Sequence, residues 1–130
     1  MNLNLIRIIF MGISGMLGAI LRTFLSESNS LINLFKGKSY YTNFLINIVG
    51  CSLMGLFFQS FISNHSLWDY LICGFVSGFT TFSGFIHDFH DLKVKGYKLG
   101  IIYIIVSISF GLFSFYIGYI ISFNFFINFI

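Results

Sequence analysis

Residues 74–85 carry the side chains best suited to chemistry inside an apolar chain. The segment holds three glycines, two adjacent threonines and two serines: Gly74, Gly78, Gly84, Thr80, Thr81, Ser77 and Ser83. This composition disfavours a continuous helix, and in lipid a break is tolerated where it is buried in protein or lines a watery cavity. Carbonyls at a break can coordinate a hard monovalent cation, and a half-helix N-terminus can attract an anion. The alternative is a glycine-rich packing surface.

Phe82 and Phe85 lie within this segment, three residues apart, so a helix places both rings on one face. An aromatic ring has a positive edge. Two rings turned edge-on to a pore could replace part of the water around a small anion without binding it as tightly as a lysine. Because the chain has 19 phenylalanines, ordinary packing is the alternative for this pair.

Asn47 and Arg22 are polar residues in or beside apolar runs. A buried amide is costly unless partnered and offers two N–H donors, so Asn47 is predicted either to line a pathway or to hold helices together. An intramembrane arginine is a functional candidate, although near a span end Arg22 could also reach the interface with its charged group.

Metal and enzyme chemistry have weaker signals. Residues 87–91 contain two imidazoles and two carboxylates, for which an interfacial charge cluster is the more common explanation than a metal site. Cys51 and Cys73 lie in apolar runs without a C-x-x-C spacing, which disfavours a disulfide framework or a zinc site. No phosphate-binding loop, zinc-protease motif or nucleophile elbow is present, so we expect no enzyme.

The elements that position these residues follow from composition. Of 130 residues, 57% are hydrophobic, 8% are charged and none is proline, whereas a soluble domain carries roughly a quarter charged residues. The chain is predicted to be one all-α membrane domain, residues 1–130, with four transmembrane helices at about 4–25, 43–61, 70–88 and 99–122. The third is expected to be broken, residues 63–66 to form a loop, and residues 123–130 to lie in the interface. The cations are read as topology markers, not as a nucleic-acid surface.

Small residues recur four apart on helical faces, which is typical of close helix packing. The pairs are Gly15 with Ala19, Ser14 with Gly18, Ser107 with Gly111, and Ser114 with Gly118. Four helices enclose little space on their own, so a dimer is the natural way to build a pathway.

Three motifs together resemble the CrcB/Fluc family of bacterial fluoride channels. They are Gly15-x-x-Gly18-Ala19-x-x-Arg22, Asn47-x-x-Gly50-x4-Gly55, and Gly74 to Phe85 with its core Thr80-Thr81-Phe82-Ser83. The third motif is highly specific, and the resemblance covers essentially the whole chain.

The resemblance implies an antiparallel, dual-topology dimer with two narrow fluoride pathways and a central structural sodium ion. It makes Phe82 and Phe85 the pore-facing rings and Asn47 the amide that meets the anion. Hydroxyl groups along the route would come from Ser83, Tyr103 and Ser107. The sodium ion would be held by the backbone carbonyls of Ser77 and Thr80, and Arg22 would lie toward a vestibule.

This chain also departs from the family pattern. Ser77 stands where the family has a glycine at the break, and Gly84 where a hydroxyl often lies between the two rings. Asn43 replaces a threonine, Thr23 an aromatic residue, and Asp88 a glutamate.

The function implied is passive export of cytoplasmic fluoride across the inner cell membrane, protecting the cell from fluoride. Two alternatives remain open from the residues: a small proton-coupled multidrug exporter, and a non-transporting membrane assembly subunit. The exporter would need a carboxylate at membrane depth in the first span, and residues 3–25 contain none.

Lysines are unevenly distributed between the two ends of the predicted helices. The loops after the first and third spans carry Lys36, Lys38, Lys93, Lys95 and Lys98, while the other end carries Arg7. This bias predicts that both loops are cytoplasmic. A homodimer would then form despite the bias, or the chain would pair with a homologue of opposite orientation; we favour the homodimer, because one chain carries every main element of both pathways.

Overall fold

Five α-helices account for most of the described residues. The computed structural model describes residues 3–28, 33–35, 38–64 and 67–127, with side chains except those of 59–64 and 126–127. The helices are α1 (Leu3–Glu27), α2 (Ser39–Asn64), α3 (Leu67–Phe79), α4 (Phe82–Lys95) and α5 (Tyr97–Ile127). The prediction of an all-helical chain is confirmed for these residues.

Within the described residues, four stretches are long and apolar enough to cross a bilayer. They are Leu3–Glu27, Ser39–Phe58, Leu67–Lys95 and Tyr97–Phe125. A helix of about 20 residues spans the roughly 30 Å hydrocarbon core, so α1, α2 and α5 each suffice, whereas α3 and α4 cross together as one interrupted span. Large apolar side chains such as Phe24, Leu112 and Phe113 are exposed on the outside of the chain, as lipid contact requires.

Helices α2 and α5 each extend beyond the predicted span. Residues 123–127, predicted to lie in the interface, continue α5 as helix. No proline interrupts this run, and extending an existing helix costs far less than starting a new element. Ser63 and Asn64, expected in a loop, form the last turn of α2. His65 and Ser66 lie outside the described residues.

Glycines set the close contact between α1 and α3. A Cβ atom added at Gly78 would overlap the carbonyl oxygen of Gly15, and one added at Gly18 would overlap that of Phe75. Gly74 likewise lies against the backbone of Met11. The two backbones therefore touch where neither has a side chain, as small-residue motifs allow.

A second close pair joins α2 to α5. A Cβ atom at Gly55 would overlap the carbonyl oxygen of Phe115, and one at Gly118 would overlap that of Ser52. The Ser114 hydroxyl donates a hydrogen bond of 3.0 Å to the carbonyl oxygen of Ile48. The predicted role of the small residues in helix packing is confirmed for both pairs of helices.

We expect Gly18→Ala to destabilise the protein, because its methyl group meets backbone atoms that cannot rotate away, at a cost of about 1–3 kcal/mol. Gly12→Ala is the matched control on the same helix, since nothing lies within 4 Å of a Cβ atom there. The measurement is the temperature at which detergent-solubilised protein stops eluting as one species. Equal behaviour of the two variants would contradict this packing account.

Candidate functional site

The third span is interrupted at Thr80 and Thr81. Helix α3 ends at Phe79, and the Thr80 amide closes it by donating to the Val76 carbonyl at 3.0 Å. Thr81 is extended, with φ −140° and ψ 117°, and its hydroxyl oxygen accepts a 3.0 Å hydrogen bond from the Gly84 amide. This is an N-cap: threonine supplies an acceptor for one of the unsatisfied amides at the start of α4. The predicted break is therefore present.

Asn47 on α2 forms two hydrogen bonds with the backbone of the break. Its Nδ2 donates to the Thr81 carbonyl at 3.1 Å, and its Oδ1 accepts from the Thr81 amide at 2.8 Å. Thr81 is buried, and a buried peptide group without partners would be costly. The Asn47 Oδ1 thus takes the place of the Ser77 carbonyl as acceptor for the Thr81 amide, and the Asn47 Nδ2 adds a donor to the Thr81 carbonyl.

These bonds leave two carbonyl groups without their helical donors. In an uninterrupted helix the Ser77 carbonyl would accept from the Thr81 amide, and the Thr80 carbonyl from the Gly84 amide. Both amides instead donate to side-chain oxygens, of Asn47 and Thr81 respectively. The Ser77 carbonyl keeps a long contact of 3.4 Å from the Thr80 hydroxyl. These carbonyls are hard oxygen ligands of the kind that sodium prefers.

An open cleft of about 370 Å³ lies beside the break. It is lined by Asn47, Cys51, Thr80, Thr81, Phe82, Phe85, Ser107 and Ile108. The rings of Phe82 and Phe85 have centroids 6.1 Å apart, and Phe82 is 76% exposed. The structure therefore brings together four of the six residues predicted for the fluoride pathway, namely Asn47, Phe82, Phe85 and Ser107. Thr80, predicted as a sodium ligand, lies beside them.

Ser107 places a hydroxyl group beside this cleft. Its oxygen is buried, lacks a hydrogen bond of good geometry among the described residues, and lies near the Tyr103 hydroxyl. Buried hydroxyls are normally well satisfied, so one held this loosely at a cleft wall is suited to a ligand. Ser83, by contrast, is exposed, does not line the cleft, and shares a 3.2 Å hydrogen bond with the Thr81 hydroxyl.

Tyr103 lies behind the cleft instead of in its wall. Its ring stacks on Phe85 at 5.5 Å, and its hydroxyl donates to Asp88 at 3.3 Å. Asp88 is 1% exposed and also accepts from Asn43 at 2.8 Å and Ser39 at 3.4 Å. This buried carboxylate therefore fixes the ring that supports Phe85.

Sequence reasoning noticed Asp88 and Asn43 as departures from a family pattern but missed that they bond to each other. One signal was available: Asn43 and Asn47 are four residues apart, which places both amides on the same face of α2. From that spacing one could have inferred that Asn43, like Asn47, faces a polar partner on the broken span.

Arg22 and the His87–Asp91 cluster lie apart from the cleft lining. Arg22 is half-buried in the last turns of α1, with its Nε atom lacking a hydrogen-bond partner within the described chain. His87 and His90 are exposed and pair with Asp91 at 3.7 and 3.9 Å. Among the described residues no group of three or more His, Cys, Asp or Glu side chains could hold a metal ion.

A chain with four helical spans, one of them broken beside a small aromatic and polar cleft, belongs to the class of multi-pass membrane proteins that carry small solutes or ions. The particular family follows from comparison. The family described as "CrcB-like protein, Camphor Resistance (CrcB)" matches residues 9–119, and the chain belongs to that family.

Relatives of this chain include several named fluoride-specific ion channel FluC. The protein of Azobacteroides pseudotrichonymphae is 31% identical over 121 residues, covering 89% of this chain and 95% of the relative. FluC 1 of Carboxydothermus hydrogenoformans is 33% identical, covering 88% and 91%. FluC 2 of Clostridium acetobutylicum is 36% identical, covering 85% and 93%. No solved structure matches the chain.

We expect Asn47→Leu to loosen the break, because the buried Thr81 amide loses its acceptor, at a cost of about 1–3 kcal/mol for a buried group left unsatisfied. Hydrogen exchange at the Thr81 amide should become faster. Cys51→Ala is the control, one turn further along the same face of the same cleft and without a role in these bonds. Unchanged exchange in Asn47→Leu would show that its hydrogen bonds do not hold the break.

Proposed function

We propose that this protein is a fluoride-selective channel, and not an enzyme, through which cytoplasmic fluoride leaves the cell passively across the inner cell membrane. The observation that carries the proposal is the cleft in which Asn47, Phe82, Phe85 and Ser107 meet beside a helix break. The names of the FluC relatives support fluoride as the ion. They also argue against a drug exporter or a non-transporting subunit.

The cleft suits a small anion that must bind and leave again. Ser107 has a loosely held hydroxyl group, and Asn47 has a second N–H besides the one given to Thr81. The rings add positive edges. Among the described residues no lysine or arginine lines the cleft, so the attraction is weak enough for the ion to pass on, as conduction requires.

Passive flow is sufficient for export. Hydrogen fluoride is a weak acid that crosses membranes in its neutral form and dissociates in a near-neutral cytoplasm, which traps fluoride. The inside-negative potential then drives the anion outward by about 2.3 kcal/mol per charge per 100 mV. A channel for this purpose needs no nucleotide site.

A second copy of the chain, in antiparallel orientation, would complete the pathways. The cleft is open on one side, and Phe82 is largely exposed, so one chain leaves the pore-facing ring uncovered. Two copies would also bring together four carbonyls, from Ser77 and Thr80 of each chain. These oxygens would hold a sodium ion, whose positive charge would bind the two breaks to each other.

Phe82→Ile and Phe85→Ile should each reduce fluoride flux to near background while leaving the dimer assembled, because the ring edges are lost but most of the apolar volume stays. The measurement is fluoride efflux from liposomes. Phe113→Ile on α5 is the control, since this exposed ring does not line the cleft. Normal fluoride flux in both cleft variants would show that Phe82 and Phe85 serve only in helix packing.

Sodium should stabilise the dimer more than lithium or a bulky organic cation does. A four-oxygen site selects one size of hard ion. An ion present at a hundred times its dissociation constant stabilises the dimer that binds it by about 2.7 kcal/mol. The measurement is dimer dissociation during dilution in each salt. Dissociation that ignores the identity of the cation would remove sodium from this account.

Labelling at residues 36–39, which precede α2 and include its first residue, tests the orientation of the chain. A cysteine is introduced there, and Cys51 and Cys73 are replaced. Lys38, Lys93 and Lys95 lie at the same end of the structure, where Lys95 contacts Tyr40. A dual-topology homodimer predicts labelling from both sides of the membrane in intact cells. Labelling confined to the cytoplasmic side would defeat the homodimer and favour a partner homologue.

A further inference from the structure

A second groove, distinct from the ion cleft, opens at the lysine-rich end of the chain. It has a volume of about 360 Å³ and lies between the start of α2, the end of α4 and the start of α5. It is lined by Tyr40, Tyr41, Phe44, Leu92, Lys95, Leu99, Ile102, Tyr103 and Val106. Apart from Lys95 and the tyrosine hydroxyls, these side chains are apolar.

The groove runs along one face of α5, from its first turn toward the middle of the span. Leu99, Ile102, Tyr103 and Val106 are spaced three and four apart, as one helical face requires. The seven helical steps from Leu99 to Val106 advance by about 10 Å. An apolar channel of this length, starting at the membrane interface, has the dimensions of the upper part of an acyl chain.

The mouth of the groove carries the positive charges of Lys95 and Lys38, which no carboxylate within the described chain neutralises. The Lys95 ammonium lies 5.9 Å from the Tyr40 ring and the Lys38 ammonium 5.9 Å from the Tyr41 ring. Within the described chain neither lysine forms an ion pair with a carboxylate. Asp91 on α4 contacts histidines, and Asp88 accepts hydrogen bonds from neutral groups.

We propose that this groove binds an anionic phospholipid, with one acyl chain along α5 and the phosphate at Lys95, assisted by Lys38. Basic residues at a membrane surface attract anionic headgroups, whereas the cationic amine of a zwitterionic lipid offsets that attraction. The bound chain would contact Tyr103, whose ring stacks on Phe85. The proposal does not depend on which ion the cleft carries.

The same end of the chain offers matched controls. Lys93 lies 5.8 Å from the Tyr97 ring and does not line the groove, and neither does Lys98. Replacing any one of these lysines by glutamine removes the same charge at the same membrane surface. If the lipid binds in the groove, Lys95→Gln should weaken lipid binding more than Lys93→Gln or Lys98→Gln does. If the attraction is only diffuse, all three variants should weaken lipid binding equally.

The test is native mass spectrometry of the full-length protein with added phosphatidylglycerol or phosphatidylcholine. We expect the protein to retain phosphatidylglycerol in preference, and Lys95→Gln to weaken that retention about fivefold, the worth of one lysine near the surface. Lys93→Gln and Lys98→Gln should retain it as the original chain does. Ile102→Trp, which fills the groove and keeps every lysine, should also lose it.

Three results would overturn the proposal. Equal losses in all three lysine variants would show a diffuse charge effect. Undiminished retention in Ile102→Trp would place the lipid outside the groove. No preference for phosphatidylglycerol in the original chain, together with cross-linking of groove cysteines to a second copy, would make the groove part of the dimer contact.

Discussion

The paired hydrogen bonds between Asn47 and Thr81 are the interaction on which the rest of this structure depends. A helix broken at membrane depth exposes peptide groups that lipid cannot solvate. The Asn47 amide satisfies the Thr81 peptide from α2, and the Thr81 hydroxyl caps α4. As a result α4 starts at Phe82 with a fixed direction, and the Ser77 and Thr80 carbonyls lose their helical donors.

Close contacts at glycines support the Asn47–Thr81 hydrogen bonds, because Asn47 can stabilise the break only if α2 itself is fixed in position. Gly55 and Gly118 bring α2 and α5 into backbone contact, so α2 is fixed to the helix that carries Ser107. On the other side of the break, Gly15 and Gly78 bring α1 against α3. The cleft therefore lies between the α2–α5 pair and the break with the first turn of α4, with Asp88 and Tyr103 supporting Phe85 from behind.

Hydropathy and charge spacing predicted the four spans, because lipid imposes a length on each helix. Glycine and threonine content predicted the broken third span. The partner of Asn47 was not predictable, since Thr81 lies 34 residues away and two roles for the amide were open. The structure gives Asn47 the contact expected of a helix-joining residue and also places it in the cleft wall. The Asp88 network was missed for the same reason: its members are distant in sequence and meet through packing.

Fluoride efflux from liposomes that contain the purified protein tests the central claim most directly. Vesicles are loaded with either fluoride or chloride, and the anion is measured outside after a potassium ionophore removes the opposing charge. The account predicts rapid release of fluoride and background release of chloride, without a proton gradient. Proton-coupled movement of organic cations, with no fluoride release, would contradict it.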